Sequence, residues 1–211
     1  ITVNSGTICA TQQTATLTAN GGVTYSWTPS TGLSSSTGSP VMGNPATTTV
    51  YTVTGIDANN CVNTSISTIT VNQLPIVTAN SPVICFGNSA VITANGASTY
   101  SWTPSSGLSS SVGSPVTANP GSTTSYTVTG VDQNGCYNTG TCSVTVNPLP
   151  NISVNSGNIC SGANTTLSAT GANTYAWSPT TGLSSSSGAS VTASPAGTSS
   201  YVVTGTDING C

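Results

Sequence analysis

The chain has 211 residues without a single Lys, Arg or His, and its only acidic side chains are Asp57, Asp132 and Asp207. Three carboxylates spaced 75 residues apart form no acid–base pair, and an abundant serine has no base beside it, so no catalytic residue is assigned and the chain is read as no enzyme. With no cation to neutralise phosphates, nucleic acid and anionic membrane surfaces are excluded as partners. No apolar run approaches the ~20 residues that cross a bilayer, and no cofactor is expected.

From the first residue onward the hydrophobic pattern has period two. Ala15, Leu17 and Ala19 alternate with Thr16 and Thr18; Tyr25 shares a face with Trp27, Tyr51 with Val53, and Ile69 with Val71. Thr, Val and Tyr dominate these runs, and Gly, Pro, Asn and Ser punctuate them. The predicted strands lie at about 1–5, 14–20, 23–28, 39–43, 49–57 and 61–71, with a short additional strand in the GLSSS segment around Leu33. No helix is expected.

The same elements then recur twice. Trp27, Trp102 and Trp177 are spaced by 75, as are Cys61, Cys136 and Cys211. The leading cysteines Cys9, Cys85 and Cys160 differ by 76 and 75, because the first copy carries one extra residue before its Trp. Self-similarity at a fixed period is the signature of a tandem array. Joints at Val71–Pro75 and Val146–Pro150 divide the chain into modules 1–73, 74–148 and 149–211. The third copy stops at Cys211, where the others run on through Val71 and Val146. It is read as an excerpt of a longer array or as a module completed by a neighbouring chain.

A module of ~75 residues has a thin core and usually needs a staple. The expected core is Trp27, Trp102 and Trp177 between the sheets, with Tyr51, Tyr126 and Tyr201 beside them, and Leu33, Leu108 and Leu183 as plugs. The expected disulfides lie within modules, Cys9–Cys61, Cys85–Cys136 and Cys160–Cys211. The competing arrangement crosses the joints as Cys61–Cys85 and Cys136–Cys160. Cys142 stands where the first module has Ser67, and is expected as a buried free thiol, with an interchain bridge as the alternative.

Other features are weighed against plainer readings. Asp57, Asp132 and Asp207 head D-x-N-x-C turns and are weak calcium candidates, since calcium normally takes several carboxylates; the plainer role is bonding to the turn backbone. The N-x-S/T triplets at Asn63, Asn151 and Asn164 are candidate glycosylation sites, and attached sugar would help an almost uncharged surface stay soluble. Asn134-Gly135 and Asn209-Gly210 favour a type I′ hairpin turn. Sheet edges without Lys predict lateral self-association into fibres, unless glycans or the segments at Pro45, Pro120 and Pro195 block it.

Taken together, I-C-x-G (Ile84–Gly87, Ile159–Gly162), Y-x-W-x-P-x-x-G-L-S-S, Y-T-V-T-G-x-D-x-N-G-C and joints ending V-N-P-L-P resemble the immunoglobulin-like and PKD-like tandem repeats of giant Bacteroidota surface proteins exported by type 9 secretion. The first module departs from the pattern with Cys9-Ala10, and the W-D-F-G-D-G motif of archetypal PKD domains is absent. The resemblance implies an all-β string of immunoglobulin-like sandwiches at the cell surface, serving as a structural or adhesive stalk or filament with neighbouring modules as partners. The alternative is a glycan-binding or spacer accessory module of a large secreted polysaccharide-degrading enzyme.

Overall fold

The computed structural model describes residues 1–211 and consists of strands and turns. No helix is long and apolar enough to cross a membrane. In the first module the strands are β1 (Thr2–Val3), β2 (Gly6–Cys9), β3 (Ala15–Leu17), β4 (Ala19–Asn20), β5 (Thr24–Thr28), β6 (Val41–Gly43), β7 (Thr49–Ile56) and β8 (Val62–Asn72). One sheet runs β2-β8-β7-β5, and β1–β4 and β3–β6 pair opposite it. Only the β2–β8 contact is parallel. Alternation along β7 sends Tyr51, Val53 and Gly55 inward and Val50, Thr52 and Ile56 outward, the mark of a sheet with one covered face.

The second module repeats this arrangement as β9 (Thr78–Ala79), β10 (Val83–Cys85), β11 (Ala90–Ile92), β12 (Ala94–Asn95), β13 (Thr99–Thr103), β14 (Val116–Ala118), β15 (Thr124–Val131) and β16 (Tyr137–Asn147). Its large sheet runs β10-β16-β15-β13, again with a parallel first pair. The third module has β17 (Ser153–Val154), β18 (Thr165–Thr170), β19 (Thr174–Ser178), β20 (Ser190–Ala193) and β21 (Val202–Thr206). Three separate cores result, of ten, eleven and six buried residues. The architecture is all-β, a string of immunoglobulin-like antiparallel sandwiches.

Two local features differ from the sequence reading. The first strand is interrupted at Asn4, whose Nδ2 donates to Thr16 O while its Oδ1 accepts from Thr18 N. Those bonds occupy the backbone between β3 and β4, which splits the expected 14–20 strand. The chain then crosses to the other sheet as β2. Asn80 and Asn155 make the same pair of bonds in their modules. Second, the hairpin tips are not type I′ turns, which require positive φ at both central residues. Only Gly135 and Gly210 are left-handed there, at 79° and 81°, and Asn60 takes that place in the first module at 61°.

Candidate functional site: the bonds between modules

Each β7–β8 type hairpin is closed by its aspartate. Asp57 Oδ1 accepts from Asn59 N and Cys61 N at 2.8 and 2.9 Å; Asp132 does so with Asn134 and Cys136, and Asp207 with Asn209 and Cys211. The considered calcium ligands Asp57, Asp132 and Asp207 therefore each have one oxygen turned to its own turn. No group of three or more metal-ligating side chains is gathered anywhere. The Cys211 and Asn209 amides hold the Asp207 carboxyl below the usual carboxylate range. This turn fixes the trailing cysteine at the start of the last strand.

The leading cysteine lies at the opposite end of its module. In the β2–β8 register Cys9 faces Asn72, the last residue of β8, whereas Cys61 immediately precedes the first. Eleven residues of strand separate the two by about 36 Å. A disulfide needs α-carbons within about 7 Å, so Cys9–Cys61 cannot form. The same register, Cys85 opposite Asn147, separates Cys85 from Cys136. The pairs present are Cys9–Cys136 and Cys85–Cys211, with α-carbons 5.4 and 5.5 Å apart. All three intra-module bridges, Cys9–Cys61, Cys85–Cys136 and Cys160–Cys211, are thus overturned. So is the competing arrangement through Cys61–Cys85 and Cys136–Cys160. Each observed bond joins the leading cysteine of one module to the trailing cysteine of the next. Cys61 and Cys160 are exposed free thiols.

At the first joint Gln12 Nε2 also donates to Tyr137 O at 2.6 Å. Cys9 N donates to Gln13 Oε1, so the extra stretch before the first Trp serves the joint. Cys142 is a buried free thiol, and burial pushes its pKa up. Its counterpart Ser67 is equally enclosed and donates its hydroxyl to Asn4 O.

The aromatic side chains line the interior. Trp27, Trp102 and Trp177 are each 3% exposed, with Nε1 donating to Gly38, Gly113 and Gly188 carbonyls. Tyr51 and Tyr126 are enclosed and donate to Thr31 O and Ser106 O. Tyr201 makes the matching bond to Thr181 O but is only half-buried. Leu33, Leu108 and Leu183 each bridge to the strand beneath, at Gly43, Ala118 and Ala193. Asn63, Asn151 and Asn164, the glycosylation candidates, are exposed.

The third module carries a cleft of about 660 Å³ lined by Ser156, Leu167, Trp177, Ala193, Thr198 and Tyr201, among others. It lies where β8 and β16 run in the other modules. Sequence reasoning missed the parallel strand β2, whereas the open strand position in the third module follows from its sequence stopping at Cys211. The recurring Asn-Ser at Asn4, Asn80 and Asn155 was the available signal for the sheet crossing.

No protein-family model matches the chain, and no curated protein is similar to it in sequence. Solved structures are similar at low identity. The N-terminal eight immunoglobulin domains of Down syndrome cell adhesion molecule are 14% identical over 97% of this chain, with a TM-score of 0.40. The chain spans 41% of that fragment's length. The I9–I11 tandem of titin is 12% identical over 96% of this chain and 92% of its own, at 0.38. The insect immune protein hemolin is 12% identical over 70% of this chain and 46% of its own, at 0.36.

Proposed function

We propose that this chain is a non-catalytic, extracellular structural or adhesive array, in which each module is covalently locked to the next. The observation that carries the reading is the pair of disulfides Cys9–Cys136 and Cys85–Cys211. A staple within each module would stabilise a sandwich and leave the joints free. A bond between modules fixes neighbour to neighbour, which is useful to a stalk or filament and of no evident use to a flexible tether. Disulfides persist in oxidising compartments, which supports a surface location. The resemblance to Bacteroidota surface repeats, with type 9 export, belongs to the same proposal. So do lateral association into fibres and attachment of glycans at Asn63, Asn151 and Asn164. The accessory-module alternative finds little support, because the three indoles face inward and offer no stacking face.

Non-reducing peptic mapping of the native chain tests the reading, trypsin having no site to cut. The expected result is a Cys9 peptide linked to a Cys136 peptide and a Cys85 peptide linked to a Cys211 peptide. Links confined within modules would refute it.

A further inference from the structure

The edges of the sandwiches are guarded. In the first module residues 32–38 bond to both sheets at once. Trp27 N donates to Ser36 O and Gly38 N to Tyr25 O along β5, while Ser34 N donates to Met42 O and Asn44 N to Gly32 O along β6. Residues 107–113 do the same in the second module, through Trp102, Gly113, Ser109 and Asn119. On the other side the chain crosses from β1 to β2, leaving edge strands of two and four residues. Edges so short or so covered give another strand little to pair with. Lateral contact therefore falls to the sheet faces.

One face departs from the rule that the solvent side of a sheet is polar. On the outer face of β2-β8-β7-β5 in the first module, Val50, Ile56, Val62 and Ile66 are 54%, 36%, 63% and 67% exposed. Register pairs Ile56 with Val62, Thr54 with Thr64, Thr52 with Ile66 and Val50 with Thr68. The second module carries Ser125 and Thr141 where the first has Val50 and Ile66, so the fold does not need aliphatic side chains at those two positions. Neighbouring modules do not bury the face either. The second module has one on each side, and its Ser125, Thr127, Tyr137 and Thr141 stay exposed.

The pattern on this face complements itself. A twofold axis running across the strands reverses their direction. It places the Ile56–Val62 row of one copy over the Val50–Thr68 row of the other, and the Thr54–Thr64 row over the Thr52–Ile66 row. Every row then meets an aliphatic side chain, and no charged side chain lies in any of the four. The strands of this sheet have four, eleven, eight and five residues. At ~3.4 Å per residue and ~4.8 Å per strand they cover about 460 Å² in projection, so a pair of copies buries about 900 Å². That is the size of a weak, reversible contact.

We propose that the outer face of β2-β8-β7-β5 in the first module is a homophilic contact, against which a second copy of this chain lays the same face with its strands antiparallel. Val50 and Ile66 make the first module, rather than the second, the place of contact. The inference rests on the array reading and supplies a surface for the lateral association proposed there. Because the face carries no charge, the pairing is indifferent to salt.

The test is sedimentation equilibrium of the full chain, with Cys61 and Cys160 alkylated beforehand so that no thiol links two copies. A concentration-dependent equilibrium between monomer and dimer is expected, with the same dissociation constant at low and high salt. Val50→Ser with Ile66→Thr gives the first module the residues of the second, and should weaken the dimer about tenfold or more. Ile66→Lys should abolish it, because a cation would be buried in the contact without a partner. Met42→Thr, on the outward face of β6 in the opposite sheet, should leave it unchanged. Disulfide mapping of the same samples keeps the two readings apart: a monomer with the bonds between modules intact sinks the contact and spares the array. A monomer at every concentration, or a dimer that survives Val50→Ser with Ile66→Thr, overturns the proposal. So does a dimer that Met42→Thr weakens equally or that salt dissociates.

Discussion

Asp132 uses its charge on two backbone amides, and that fixes where Cys136 can reach. Replacing it with Ala removes both bonds, and the expected loss is about 1–2 kcal/mol of stability in urea titrations. The yield of the Cys9–Cys136 bond in oxidative refolding should fall as well. Asp207 has a lowered folded-state pKa, so its contribution is complete above the ordinary value of 3.8 and is lost as pH falls through the folded value. The buried phenols act with the opposite dependence. Burial raises Tyr51 and Tyr126, so above pH 10 the unfolded chain releases protons that the native state retains. Stability should therefore decline as pH climbs beyond 10, and urea midpoints at pH 9 and pH 11 measure it. Cys142 is enclosed and its thiol is raised, whereas Cys61 and Cys160 are exposed. Brief alkylation of the native chain at pH 8 should label those two and spare Cys142, as read by mass spectrometry.

Among elements, the fit between strand and floor makes a sharp test. Gly43→Ala should destabilise the first module by roughly 1–3 kcal/mol through its collision with Ile69. Adding Ile69→Val should return most of that loss, giving a coupling energy well above the ~0.5 kcal/mol scatter of independent sites. The strands of this sheet were largely legible in the sequence. Tyr51 and Val53 share a face, the Trp positions recur at a fixed spacing, and alternation marks both long strands. The strand β2 was not legible: Gly6–Cys9 is too short for alternation to show, and it forms only because β8 lies alongside, sixty-three residues later. The disulfides failed for the same reason. Spacing along the chain made Cys9 and Cys61 look like partners, but a parallel register sets them at opposite ends of one long strand. The turn type was misjudged at a smaller scale, because Asn134 keeps ordinary φ when the aspartate closes the loop from outside.

At the level of the whole molecule, the two bonds define covalent loops that overlap between Cys85 and Cys136. A pull on the termini would follow the shortest covalent route through them. That route runs eight residues from Ile1 to Cys9, across to Cys136, back fifty-one residues to Cys85, and across to Cys211. Even with every sandwich torn open, the oxidised chain would reach only about 220 Å, against about 730 Å for the reduced one. Force spectroscopy with and without reductant should show that difference. The staggered sulfur bonds thus act as a built-in safety strap: they cap how far the string can stretch, and tension is borne by covalent links after the sandwiches have yielded.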